Sequence, residues 1–469
     1  MPLLLGLCAI ECRDALQSAE PPGRLPAAAT NARNGVSSLT PTTLPSAAER
    51  ADAPSPSLAN GSPQGTPAQL DPDGDDQTAP QGDDRRPLRP GHFTRVGKPP
   101  LALTRICDLT PFGGALYAAH ANRPLGTDGA TVSRYRPNDD KPFSVAFDWN
   151  RPGEPSQGGG AGQGFLRVHA VAGRLLVPDA DPPYNGFGIS EPGTEGFVFF
   201  SDSQGKFEPA RMPGHRPPRT PEPDGRGGAA VLPRAYHVLD VIAFRGHLYA
   251  ATGAVPPGER AWHGASPGAL HVANAALTRF EYAVDYPHPW QDGVWRLTFL
   301  VRFRDRLYAG IQDYDGREPN DYLYFDPPRS AELISQHDLH AVRVTPSGGA
   351  QTVRWYADGG KLYWIAWTRG GVGLWVTDDG DHWRLVSLPA DVGVPTDVTR
   401  FHGELVVLTE RVLVRLNGTE ATLLAQIGDK KSPFVMDDVL CAAPLAVFAG
   451  QLYLGGQRDG SLYRFDEEP

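Results

Sequence analysis

Five basic or potentially basic side chains recur at one place in the pattern of this 469-residue sequence. Arg105, Arg167, His237, Arg296 and Arg354 each stand near the start of an apolar, strand-like run, and Asp397 and Asp438 stand near the starts of two later ones. Guanidinium forks match carboxylates and phosphates. Gathered on one axis, these residues would either line a funnel that recognises an anion or form a ring of structural salt bridges with acids of neighbouring runs. The two readings separate on Arg296→Ala. In the first it abolishes binding with melting nearly unchanged; in the second it lowers stability, because a partly buried carboxylate loses its partner. The ligand-contacting set is therefore Arg105, Arg167, Arg296, Arg354 and His237, with Trp262 and Tyr314 from long connections. Proton transfer would need a paired acid and base. Asp179, Asp313 and His237 are the candidates, although a lone histidine is more often a hydrogen-bonded core residue than a base. No P-loop, HExxH, GxSxG or CxxC occurs, so no metal and no cofactor is expected. DPDGDD at 71–76 fails as a calcium loop, because its glycine position holds Asp76 and its twelfth position Gly82.

The elements that must position these groups announce themselves as a repeated phrase: an apolar lead, a tight turn, then Leu-Tyr or its equivalent. It occurs as PFGGALYAA (111–119), VAGRLLVPD (171–179), FRGHLYAAT (244–252), FRDRLYAGI (303–311), GGKLYWIA (359–366), FHGELVVLT (401–409) and FAGQLYLGG (448–456). Its leucines fall at 116, 175, 248, 307, 362, 405 and 452. Each unit holds four strand candidates, as a propeller blade does. The last unit ends after its third strand, and HFTRVGKPP (92–100) matches a fourth strand without a unit of its own. Ring closure solves both problems and removes a bare sheet edge. The expected fold is all-β: a seven-bladed β-propeller of four-stranded antiparallel blades, closed by an N-terminal strand that joins the last blade. In such a blade the first–second turns are short here. The other face carries long connections with Tyr184, Trp262, His263, Trp290, Asp313 and Tyr314, which suit a sugar or peptide.

Two stretches resemble known propeller families. Thr377-Asp378-Asp379-Gly380-Asp381-His382-Trp383 is similar to the Asp-box of sialidase-type propellers, one residue shorter than usual, and Ser201–Phe207 resembles a degenerate copy. GGKLYWIA and LYLGG resemble kelch repeats. The resemblance covers 93–469 and implies fold alone, with the Asp-box as a stabilising turn. Sialidase or copper-oxidase chemistry does not carry over: Thr104-Arg105-Ile106-Cys107 lacks the proline of the sialidase phrase, and no cross-linked Tyr–Cys ligand set is visible.

Composition bounds the rest. Gly (53) and Pro (47) exceed a fifth of the chain, which disfavours a helical protein. A net charge of -10 disfavours nucleic acid as a partner. No apolar run is long enough for a membrane span. Residues 1–12 carry an apolar, signal-like stretch, with Cys8 and Cys12 as candidate lipid-anchor positions whose preceding residues fit a lipobox poorly. Residues 13–91 hold thirteen prolines and no aromatic residue and read as a disordered linker, leaving 92–469 for the propeller. Cys107 and Cys441 lie on innermost strands of the first and last units. Two buried free thiols is the preferred reading, with a bridge across the seam as the alternative in an oxidising compartment. These readings combine into an exported, monomeric, non-catalytic recognition module for an anionic, glycan, peptide or protein ligand. The alternative is a hydrolase or lyase whose Arg cluster holds the carboxylate of an anionic saccharide.

Overall fold

The computed structural model describes residues 87–121, 130–148, 164–180, 195–207, 227–233, 235, 237–253, 268–286, 295–313, 317–418, 420–427, 432–436 and 438–469. Among them the chain is almost wholly β, helical structure being confined to one 3-10 turn at Gln336–Asp338. Strand β1 (Gly91–Gly97) stands first. Strands β2 (Arg105–Phe112), β3 (Ala115–Ala121), β4 (Thr131–Tyr135) and β5 (Phe143–Asp148) form one antiparallel sheet in chain order. A second consists of β6 (His169–Val171), β7 (Arg174–Pro178), β8 (Glu195–Phe200) and β9 (Gly228–Pro233). The next eight strands share one sheet. They are β10 (His237–Phe244), β11 (His247–Gly253), β12 (Ala269–Ala273) and β13 (Phe280–Asp285), then β14 (Trp295–Phe303), β15 (Arg306–Asp313), β16 (Tyr322–Phe325) and β17 (Leu339–Val342). Its two quartets meet through a single residue pair, Gly253 with Arg296.

Strands β18 (Gln351–Asp358), β19 (Lys361–Thr368), β20 (Gly371–Thr377) and β21 (Trp383–Leu385) follow. So do β22 (Pro395–Phe401), β23 (Glu404–Thr409), β24 (Val412–Asn417) and β25 (Glu420–Gln426). The final sheet contains β26 (Leu445–Phe448), β27 (Gln451–Gly455) and β28 (Leu462–Glu467), and its fourth strand is β1. Phe93 pairs with Phe465 and Gly91 with Glu467, so β1, the first strand among the described residues, completes the last sheet. Ordered contacts begin earlier than the composition boundary at 92, since Leu88 is 4% exposed and packs beside Phe401 and Leu424. The result is a propeller arrangement of four-stranded antiparallel sheets.

Local sequence explains the repeat. At 113–114, 172–173, 245–246, 359–360, 402–403 and 449–450 both turn residues take positive φ, the two-residue hairpin that matches strand twist. The leucines of the repeated phrase fill the space between sheets and are buried, Leu405 least so. Three of the tyrosines beside these leucines reach the next four strands in the chain. Tyr249 accepts the Ile334 amide at 3.1 Å, while the Tyr117 and Tyr308 hydroxyls lie against Gly205 and Gly380. Those two glycines sit in the Asp-box-like turns. In one, Asp379 Oδ1 accepts the amides of Asp381 (2.9 Å) and His382 (2.8 Å); in the other, Asp202 Oδ1 accepts those of Gln204 (2.9 Å) and Lys206 (2.8 Å).

Cys107 and Cys441 are joined, with Cα atoms 4.5 Å apart across 334 residues of sequence. This corrects the free-thiol reading. Closure by β1 makes β2 and the segment before β26 neighbours, so Cys107 on β2 meets Cys441, which lies in that segment and not on an inner strand as expected.

Candidate functional site

Five of the inner strands, β2, β10, β14, β18 and β22, carry a bulge in their first half. The register slips between Ile106 and Asp108, Val238 and Asp240, Leu297 and Leu300, Thr352 and Arg354, and Pro395 and Asp397. Such bulges re-aim side chains. The residues five places ahead of Gly113, Ala172, Arg245, Arg304, Gly359, His402 and Ala449 are Asp108, Arg167, Asp240, Phe299, Arg354, Asp397 and Pro444. They form an equivalent set of three carboxylates, two guanidiniums and two apolar residues.

The carboxylates hold the next inner strand. Asp108 Oδ2 accepts the Val168 amide (3.0 Å), Asp240 Oδ2 the Leu300 amide (2.7 Å), and Asp397 Oδ2 the Leu445 amide (2.7 Å). Sequence reasoning named Asp397 but missed Asp108 and Asp240. The visible signal was an acid in the middle of an otherwise apolar strand.

Arg354 spans this set. Its Nε lies 3.5 Å from Asp397 Oδ1 and its Nη1 donates to Asp108 Oδ1 (3.4 Å). Its Nη2 donates to the carbonyls of Cys107 (3.1 Å) and Ala442 (3.4 Å), on either side of the disulfide. Arg167 stacks over the Phe299 ring at 3.6 Å. Burial, then the neighbouring Arg354, pushes its pKa down to about 10, so it stays charged at neutral pH. His169 meets Asp240 at 2.6 Å. Burial lowers its pKa, but the charge and hydrogen bond of Asp240 outweigh this and raise it overall. Burial raises the Asp397 pKa against the pull of Arg354. Arg105 donates to Asp438 at 3.0 Å beside the seam. Cys107, Cys441, Leu166, Leu239 and Phe299 belong to one apolar cluster among these charges.

The remaining candidates converge nearby. His237 Nε2 lies 3.1 Å from Arg296 Nη2, and its Nδ1 lies 2.7 Å from the Ala180 carbonyl. Arginine can only donate, so Nε2 accepts, and the proton sits on Nδ1 facing the carbonyl. Arg296 also donates to Gln312 (3.2 Å), which donates to Gln351 (3.4 Å). Asp179 is fully buried, and its backbone carbonyl accepts the Val238 amide. Asp313 Oδ2 accepts the amides of Arg317 (2.7 Å) and Glu318 (2.8 Å). Glu318, which the sequence did not single out, is 4% exposed and accepts the Tyr286 hydroxyl at 3.0 Å. Burial raises its pKa. The structure thus brings Asp179, His237, Arg296 and Asp313 to one end of the inner strands, and buries Arg105, Arg167 and Arg354 among structural partners. Trp262 and Tyr314, like Tyr184, His263 and Trp290, lie outside the described residues. Among the described residues no cluster of three or more His, Cys, Asp or Glu could hold a metal ion.

No protein-family model matches the sequence, and no curated protein matches it. Among solved structures the chain is similar to the catalytically inactive virginiamycin B lyase from Staphylococcus aureus with quinupristin, at 8% identity and a TM-score of 0.49, covering 80% of this chain and 99% of that one. It is also similar to a 6-phosphogluconolactonase-like protein from Bacteroides fragilis (12% identity, TM-score 0.41, 76% and 95% covered). BamB from Moraxella catarrhalis is a third (13% identity, TM-score 0.36, 80% and 98% covered).

Proposed function

We propose that this chain is a seven-bladed, non-catalytic recognition propeller that works as an exported monomer. The seventh blade follows from counting the eight-stranded sheet as two blades, since one residue pair joins its quartets. Leu88, Gly91 and residues 92–469 then belong to the propeller, with the stretch from 13 to 86 as a linker and 1–12 as an export signal. The Cys107–Cys441 bond supports export, because such bonds persist in oxidising compartments.

The observation that carries the recognition reading is the engagement of the titratable groups. The Nε2 lone pair of His237 is taken by Arg296, and Asp313 Oδ2 by two amides. A base must be able to reach the proton it removes, and these groups are instead holding neighbouring strands and loops. Arg296 pairs with Gly253, so the His237–Arg296 pair stands where the connections 254–267 and 287–294 leave and enter the sheet. In this reading those connections, with Trp262 and Tyr314, meet an anionic glycan, peptide or protein ligand, and Arg296 and His237 orient them. Arg105, Arg167 and Arg354 serve the scaffold. A glycan and anion binding screen on the full chain tests this. Arg296→Ala should weaken the hit, and a screen in which no glycan, anion or acidic peptide binds would contradict it.

One observation favours a second reading, a hydrolase or lyase acting on an anionic saccharide. Glu318 stands beside Asp313, whose Oδ2 accepts its amide, and burial raises its carboxyl pKa, the direction a general acid requires. Turnover of an acidic saccharide that Glu318→Gln abolishes would favour this reading over the first.

A further inference from the structure

A cleft of about 640 Å³ opens between the β18–β21 and β22–β25 sheets, lined partly by the Gly403 and Gly418 turns. Tyr363, Val376, Leu405 and Leu416 form its apolar lining, and Lys361, Arg384, Arg400 and Arg415 supply its cations. Lys361 (2.7 Å) and Arg384 (3.4 Å) share Asp378, Arg400 pairs with Asp358, and Arg415 meets Glu404 at 3.3 Å. Four cations therefore face three carboxylates in a protein whose net charge is -10. Lys361 and Arg384 remain 41% and 59% exposed.

The chain enters the fold at this rim. The Leu88 amide donates to Glu404 Oε2 at 3.2 Å, and Arg415 Nη1 lies 3.5 Å from the Leu88 carbonyl. Residues 71–84, outside the described residues, carry six aspartates and no basic residue; Arg85 and Arg86 stand between them and Pro87. A fully extended chain advances at most about 3.6 Å per residue, so Asp84 begins within about 14 Å of Leu88. A segment tethered at the edge of a site meets it at millimolar effective concentration, which offsets the weakness of individual exposed ion pairs.

We propose that this cleft is the docking site for the chain's own acidic segment Asp71–Asp84, whose carboxylates meet Lys361 and Arg384 beside the apolar lining. An acidic partner arriving at this surface would then have to displace the segment.

Zero-length carbodiimide cross-linking of the full chain tests this, using an equal mixture of isotopically light and heavy protein and peptide mapping. The expected result is a Lys361 link to residues 71–84 with no light–heavy product. The link should disappear at high salt, in Lys361→Arg, and in the combined Asp71→Asn, Asp73→Asn, Asp75→Asn, Asp76→Asn, Asp83→Asn and Asp84→Asn variant, which alters no residue of the described sheets. Three results would overturn the proposal: Lys361 links confined to Asp378, light–heavy links to 71–84, or equal linking of 71–84 to Lys98, Lys141 and Lys206. A light–heavy link would identify a second copy as the occupant instead.

Discussion

The hydroxyl of Tyr308 rests against Gly380, so that a side-chain carbon at that glycine would overlap the phenol oxygen. Tyr308 belongs to the repeated phrase on β15, and Gly380 to the turn between β20 and β21, at φ +88°. Tyr117 and Gly205 repeat the relationship, at φ +75°. Gly380→Ala should therefore cost stability twice, through backbone strain of about 1–3 kcal/mol and through the lost fit to Tyr308. Gly114→Ala, with positive φ but nothing within 4 Å, should cost only the strain. Urea unfolding of both, and of Gly380→Ala with Tyr308→Phe, checks this: the double variant should recover part of the loss.

The Cys107–Cys441 bond closes 334 residues of chain at the point where β1 also closes the ring. Cys107→Ala, Cys441→Ala and the double variant should each lose about 2–5 kcal/mol. Excess reductant should bring the wild type to the same value. Unequal losses would mean that the thiols act separately.

The buried His120 and the half-buried His169 give stability opposite pH dependences. His120 lies 3.1 Å from the Arg105 carbonyl and 2.7 Å from Ser133 Oγ, and burial lowers its pKa to about 4. The unfolded chain takes up a proton near 6.5 that the fold refuses. Stability from this group is complete above that value and lost as pH falls towards 4, by about 3 kcal/mol. His169 is raised overall by Asp240, so its contribution is present below pH 6.5 and lost as pH rises through its folded value. Unfolding free energies between pH 4 and 8 should show His120→Gln flattening the acid limb and His169→Gln the neutral one.

The sequence made the sheets legible because the units repeat a local instruction: a two-residue turn, with both residues at positive φ in six of seven, then Leu-Tyr or its equivalent. It also made the closure legible, because one strand was missing at 466 and one was spare at 92. The buried charge set was harder to read. Asp108, Asp240 and Asp397 become equivalent only once each strand is aligned on its own turn and each bulge is in place. Arg354 lies 246 positions from Asp108, so no local spacing announces the pair. The disulfide was missed as the preferred reading for the same reason. Glu318 escaped notice because its burial depends on Tyr286, on the far side of a connection.

The central claim is that the charges gathered along the inner strands hold the ring together. The unfolding free energy of Arg354→Ala tests it most directly. Removing this guanidinium strands Asp108 and Asp397 and frees the carbonyls beside the disulfide, for a predicted loss of about 3–5 kcal/mol. Unchanged stability together with abolished anion binding would contradict the claim and return Arg354 to a ligand site.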